Sequence, residues 1–214
     1  MKRYLLVLSL FVFSFNAKSQ ITWDGGGGDG LWSTADNWAG NVVPGAGDNV
    51  LLDNSTVPGS YTVNLPTGAV TVSVNSLTIT PSGVNNITLV LPSGNTANPG
   101  FSVTGAGDAL VLNNGAILRN SSGAAMGSGI SITNTFRINN GGHYLHNTGR
   151  ANGVIVSQLS TAVGTELGVF EYDVPLASYF PSISNTNYGS LVLSSIANGG
   201  TVSYNNTSGI NTWF

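Results

Sequence analysis

Apolar and polar residues alternate in short runs along most of this chain. Asn49-Val50-Leu51-Leu52, Tyr61-Thr62-Val63-Asn64-Leu65, Val70-Thr71-Val72-Ser73-Val74, Leu77-Thr78-Ile79 and Ile87-Thr88-Leu89-Val90-Leu91 follow one another closely. Ala109-Leu110-Val111-Leu112, Ile130-Ser131-Ile132, Val154-Ile155-Val156, Val169-Phe170-Glu171-Tyr172 and Leu191-Val192-Leu193 continue the series. Each run is rich in β-branched residues and bounded by Gly, Pro, Asn or Ser, which predicts short strands separated by tight turns. No window carries the 3.6-residue period of an amphipathic helix. The pattern therefore predicts an all-β chain.

Internal similarity decides how the strands are arranged. Asn113-Asn114-Gly115 followed by Leu118-Arg119-Asn120 returns as Asn139-Asn140-Gly141 followed by Leu145-His146-Asn147. A looser third copy starts at Asn198-Gly199-Gly200 and runs to Gly209. A repeat of this length, one structural unit per copy, predicts stacked coils: a parallel β-helix, or β-solenoid, over residues 50–214. Inward Val, Ile and Leu would form a continuous core, and Asn at equivalent corners would form hydrogen-bonded ladders. A β-sandwich is the alternative, but it gives no reason for the corner motif to return at a fixed offset.

Composition narrows the function classes. Charged residues make up only 7% of 214 residues, there are 29 Gly and no Cys, and the formal charge is −3. The lack of cysteine excludes disulfides, thiolate metal sites and cysteine catalysis. Lys2-Arg3, an apolar stretch from Leu5 to Phe15, and small residues at Ala17 and Ser19 read as a secretory signal peptide over residues 1–19. Its removal leaves Arg119, Arg137 and Arg150 against nine acidic residues, a formal charge of −6. Three scattered arginines do not make a nucleic-acid or anionic-membrane surface, and no later stretch is long enough to insert in a bilayer. The expected location is outside the cell or on its surface.

Residues 20–49 have a texture of their own, with Trp23, Trp32, Trp38 and a run of four glycines from Gly25. They predict a cap over the first coil, since large aromatics dominate the burial of a small segment. Exposed instead, the three rings would make a sugar-stacking platform. The Asp24–Asp29 loop has two carboxylates and Ala35 where a calcium loop needs a bidentate Glu. Calcium is the one cofactor the pattern admits, and an Asp-stabilised turn is what the loop predicts.

Two other groupings bear on chemistry. Glu171 and Asp173, two apart on a strand, would share one face at roughly 6–7 Å, a separation suited to paired-carboxylate catalysis but equally to a solvated strand. His143 and His146, three apart, would fall on opposite faces of a strand, and the flanking glycines predict two exposed corner histidines.

Trp32-Ser33, Asn37-Trp38, Val43-Pro44 and Gly47-Asp48-Asn49-Val50, with Tyr61-Thr62-Val63 and Leu77-Thr78-Ile79, resemble the opening of secreted bacterial right-handed β-helix proteins. Autotransporter-type β-strand repeat proteins are among them, and the eight-glycine domain is a looser likeness. The later runs from Asn140 to Asn147 and from Tyr188 to Ser194 resemble repeats of large bacterial surface proteins. The resemblance implies a right-handed β-helix at the cell surface and the N-terminal portion of a longer polypeptide. It carries over no catalytic residues. The expectation is a structural or adhesive segment, with an extracellular glycan-binding module and a polysaccharide-degrading enzyme as alternatives.

Overall fold

A computed structural model describes residues 20–182 and 186–205; the leader at 1–19 and the stretch from 206 to the end, part of the solenoid expected over 50–214, lie outside the described residues. Short strands recur three to a turn. The chain opens with β1 (Gln20–Thr22), and the first full coil carries β2 (Asn49–Asp53), β3 (Tyr61–Asn64) and β4 (Val72–Val74). The second carries β5 (Ser76–Thr80), β6 (Ile87–Leu91) and β7 (Phe101–Val103). The third carries β8 (Asp108–Leu112), β9 (Ala116–Asn120) and β10 (Ile130–Ile132). Beyond these come β11 (Thr135–Ile138), β12 (His143–His146), a one-turn helix α1 (Gly153–Val156), β13 (Val169–Tyr172), β14 (Ser178–Tyr179), β15 (Ser190–Leu193) and β16 (Ser203–Tyr204).

Each strand pairs with its equivalents one coil earlier and later. The first sheet runs β1-β2-β5-β8-β11, the second β3-β6-β9-β12-β13-β15, and the third β4-β7-β10; β14 pairs with β16. Every strand ladder among the described residues is parallel. The result is a β-solenoid of about seven turns. Two antiparallel sheets packed face to face, the sandwich alternative, are not what these residues form.

Alternation within the strands sets the core, because successive side chains of a strand point to opposite faces. In the second sheet Val63, Leu89, Leu118, Tyr144 and Phe170 are in register and buried, one above another. Val50, Leu77, Leu110 and Phe136 do the same in the first sheet, and Val72, Phe101 and Ile130 in the third.

The corners are stitched by the repeated motif. Asn139 Nδ2 donates to Asn113 Oδ1 at 2.7 Å, 26 residues apart, and Gly115 N donates to Gly141 O at 3.0 Å. An earlier corner repeats the device, Asn75 donating to Asn49 Oδ1 at 2.6 Å. Gly115 turns the corner at φ +79°, where a Cβ would sit 2.5 Å from the Asn85 carbonyl oxygen of the coil below, so the motif needs glycine here.

The start of the solenoid and one edge of the third sheet are covered. Trp23, Trp32 and Trp38 are buried at the start of the solenoid. Trp38 lies edge-on to Trp23 and Trp32, with ring centres 4.9 and 4.6 Å apart, and its Nε1 donates to the Trp32 carbonyl at 2.7 Å. At the far edge of the third sheet α1 packs on β10 and buries Ile155 and Val156. The Val154-Ile155-Val156 run is therefore helical rather than the strand its composition predicts. Its three apolar residues follow Asn152-Gly153 and lie over an edge strand, which a single helical turn screens from further pairing.

Candidate functional site

The outward side of the second sheet carries Arg119, His143 and Glu171. Its outward positions form two columns, Ile117-His143-Val169 and Val90-Arg119-Leu145-Glu171. In the second, Leu145 separates Arg119 from Glu171. His143 and Glu171 meet across adjacent strands, with Nε2 2.9 Å from Oε2, a close approach that is not aligned as a hydrogen bond. The other carboxylate oxygen of Glu171 accepts from the Ser194 hydroxyl at 2.6 Å. The serine thus reaches the acid and not the imidazole, so these three side chains lack the nucleophile–base contact of a hydrolase. They tie three successive coils together instead.

Asp173 does not join Glu171 in a catalytic pair. The alternation breaks at the end of β13, where Tyr172, Asp173 and Val174 are all buried. Asp173 Oδ1 accepts the Ala197 amide at 2.8 Å, so this carboxylate holds a neighbouring corner while Glu171 faces outward. The shared face expected from their spacing would require the strand to continue past Tyr172.

The histidines do lie on opposite faces, but on strand β12 and not at a corner, and His146 is fully buried rather than exposed. Its Nε2 lies 3.0 Å from the Arg150 carbonyl oxygen, an acceptor, so this nitrogen carries the proton; Nδ1 then accepts from the Tyr144 hydroxyl at 3.3 Å. Asn120 donates to that hydroxyl at 3.1 Å, and Tyr179 OH donates to the Arg150 carbonyl at 2.6 Å. Asn152 and Tyr188 bond to the Tyr172 hydroxyl alongside. Burial pushes the His146 pKa down to about 4, and burial pushes those of Tyr144, Tyr172, Tyr179 and Tyr188 well up, so the network is neutral at ordinary pH.

Burial removes the three cap tryptophans as a sugar platform: their relative exposures are 2% for Trp23, 1% for Trp32 and 0% for Trp38, so no ring face is open to solvent. The Asp24–Asp29 loop forms an Asp-stabilised turn. Asp24 Oδ1 accepts the Gly26 amide, and Asp29 accepts from the Thr34 hydroxyl, the Leu31 amide and Asn37 Nδ2 at 2.6–2.9 Å. Those bonds, the Thr34 one foremost, hold the Asp29 carboxyl below the usual carboxylate range. Among the described residues no group of three His, Cys, Asp or Glu is arranged to hold a metal ion.

Beside the second sheet, at the corner that follows its strands, a groove of about 540 Å³ crosses four successive coils. Arg119, Ser121, Asn147, Arg150, Pro175 and Leu176 line it. Arg119 Nε donates to Ser121 Oγ at 3.0 Å and its Nη2 to Asn147 Oδ1 at 2.9 Å, while Asn147 Nδ2 donates to the Asp173 carbonyl at 2.7 Å. Sequence reasoning passed over this assembly, although Ser121, Asn147 and Asp173 stand at successive 26-residue offsets that mark them as neighbours. Comparisons with known protein families, curated proteins and solved structures found no match to this chain.

Proposed function

We propose that this chain is a secreted or cell-surface β-solenoid segment whose role is structural and adhesive rather than catalytic. The right-handed β-helix surface proteins that its opening resembles, autotransporter-type repeat proteins and more loosely the eight-glycine domain among them, are the class it fits. One observation carries the reading: polar side chains between coils serve to hold the coils in register. Asn49 with Asn75, Asn113 with Asn139, Ser121 with Asn147, and Glu171 with Ser194 all join one coil to the next. A wall built this way is rigid and long, and it stays intact with very few charges, as suits a part that presents a surface.

The test is export. Expressed with residues 1–19 intact in a Gram-negative host, the protein should appear outside the cytoplasm with an N-terminus at Gln20, read by N-terminal sequencing. Retention in the cytoplasm at full length would overturn the reading.

A further inference from the structure

Of the three arginines among the described residues, Arg137 lies on the first sheet and pairs with Asp108 at 3.2 Å. The other two, Arg119 and Arg150, both line the corner groove, and neither has a carboxylate within ion-pair distance among the described residues. No Asp or Glu lines the groove, in a chain that has nine. Two cations of an acidic protein line one groove, while the nearest acids are engaged elsewhere, Glu171 with Ser194 and Asp173 with the Ala197 amide.

Neither arginine is loosely held. Arg119 is oriented by Ser121 Oγ and Asn147 Oδ1, both neutral acceptors, so its geometry is fixed while its charge stays uncompensated. Arg150 donates through Nη1 to the Ala125 carbonyl, again a neutral partner. Its own carbonyl is gripped from inside the solenoid by His146 and Tyr179. Guanidinium groups fixed in this way can form fork-like, charge-assisted bonds to an acid group without first losing side-chain freedom.

We propose that this groove binds an acidic polysaccharide lying along the solenoid axis, with Arg119 and Arg150 taking acid groups from nearby sugars. The groove runs from coil to coil, each about 4.8 Å from the next, so an extended polymer can lie along it. Arg150 follows β12, one coil beyond β9 and Arg119, and reaches back to the Ala125 carbonyl on the coil of Arg119, so both cations serve the same corner groove. Ser121 and Asn147 supply polar contacts for sugar hydroxyls, and Pro175 and Leu176 form an apolar floor at one end. The proposal rests on the extracellular reading for its ligand, since such polymers lie outside cells.

Purified protein is titrated calorimetrically at low salt with polygalacturonate, dextran sulfate, neutral dextran and poly-L-glutamate. Binding to polygalacturonate assigns a carboxylate ligand, binding to dextran sulfate alone a sulfate, and either supports the groove, with neutral dextran inert. Arg119→Gln and Arg150→Gln should each weaken binding by about tenfold, and Arg137→Gln should leave it unchanged. If the Gln variants lose their native circular dichroism, Arg119→Lys and Arg150→Lys are read instead; a several-fold loss is expected, and unchanged affinity would overturn the proposal. So would no binding to either acidic polysaccharide, equal affinity for poly-L-glutamate, or an equal loss in Arg137→Gln. Exported protein that binds neither polymer ends the groove and leaves the surface reading standing; binding by a protein kept in the cytoplasm does the reverse.

Discussion

One inward column of the second sheet changes character along its length, from Leu91 to Asn120, His146 and Tyr172. Burying such groups is tolerable only because each finds a partner, and His146 finds one on both ring nitrogens. Its folded pKa near 4 lies below the ordinary value of 6.5, so the unfolded chain takes up a proton first as the pH falls. The stability that neutral His146 contributes is therefore complete above about pH 6.5, falls between there and pH 4, and is level below. The full loss is on the order of 3 kcal/mol. Urea unfolding across this range should show that slope in the natural protein and a much shallower one in His146→Gln. An equal slope in both would assign the pH dependence to another group.

At the scale of elements, the cap and the corners explain what was legible in the sequence. Runs such as Ile87–Leu91 announced themselves by strict alternation, and Asn-Asn-Gly at a 26-residue offset announced the stacking. The strands at Ala116–Asn120 and His143–His146 are harder to read, because Asn120 and His146 take inward positions and the glycines before His143 point to a turn. Asn120 is met by Tyr144 from the next coil, 24 residues away, and Tyr179, 33 residues on, closes over His146, beyond any local pattern. The Glu171–His143 contact and the seat of Arg119 escaped for a related reason, since each depends on the register between coils. The cap itself was readable from three tryptophans in one short segment, because rings of that size demand burial. Trp38→Ala should cost about 3–5 kcal/mol, as a large ring removed from a closed site leaves a cavity and an unpartnered Trp32 carbonyl. A thermal melt should show the drop, and size-exclusion chromatography should show self-association as the first coil's strand edges open. A variant that melts like the natural protein would mean that the tryptophans do not close the end.

Across the whole molecule, each coil touches mainly the coils before and after it, so stability is close to a sum of neighbour terms rather than a property of one shared centre. Coils paired on both sides should exchange their amide hydrogens slowest. Hydrogen exchange should give the greatest protection to β5 through β9, intermediate protection to β12 and β13, and the least to β14, β15 and β16, where pairing thins to a two-stranded sheet and one flanking strand. Uniform protection would show instead that the stack opens as a single unit. The parallel ladders carry a mechanical consequence. Tension applied between the ends would draw against one coil's bonds at a time, so the solenoid would unspool stepwise. Each released coil of 26 residues would yield about 80–90 Å of slack. A solenoid made this way would act as a shock absorber, lengthening under load before it broke.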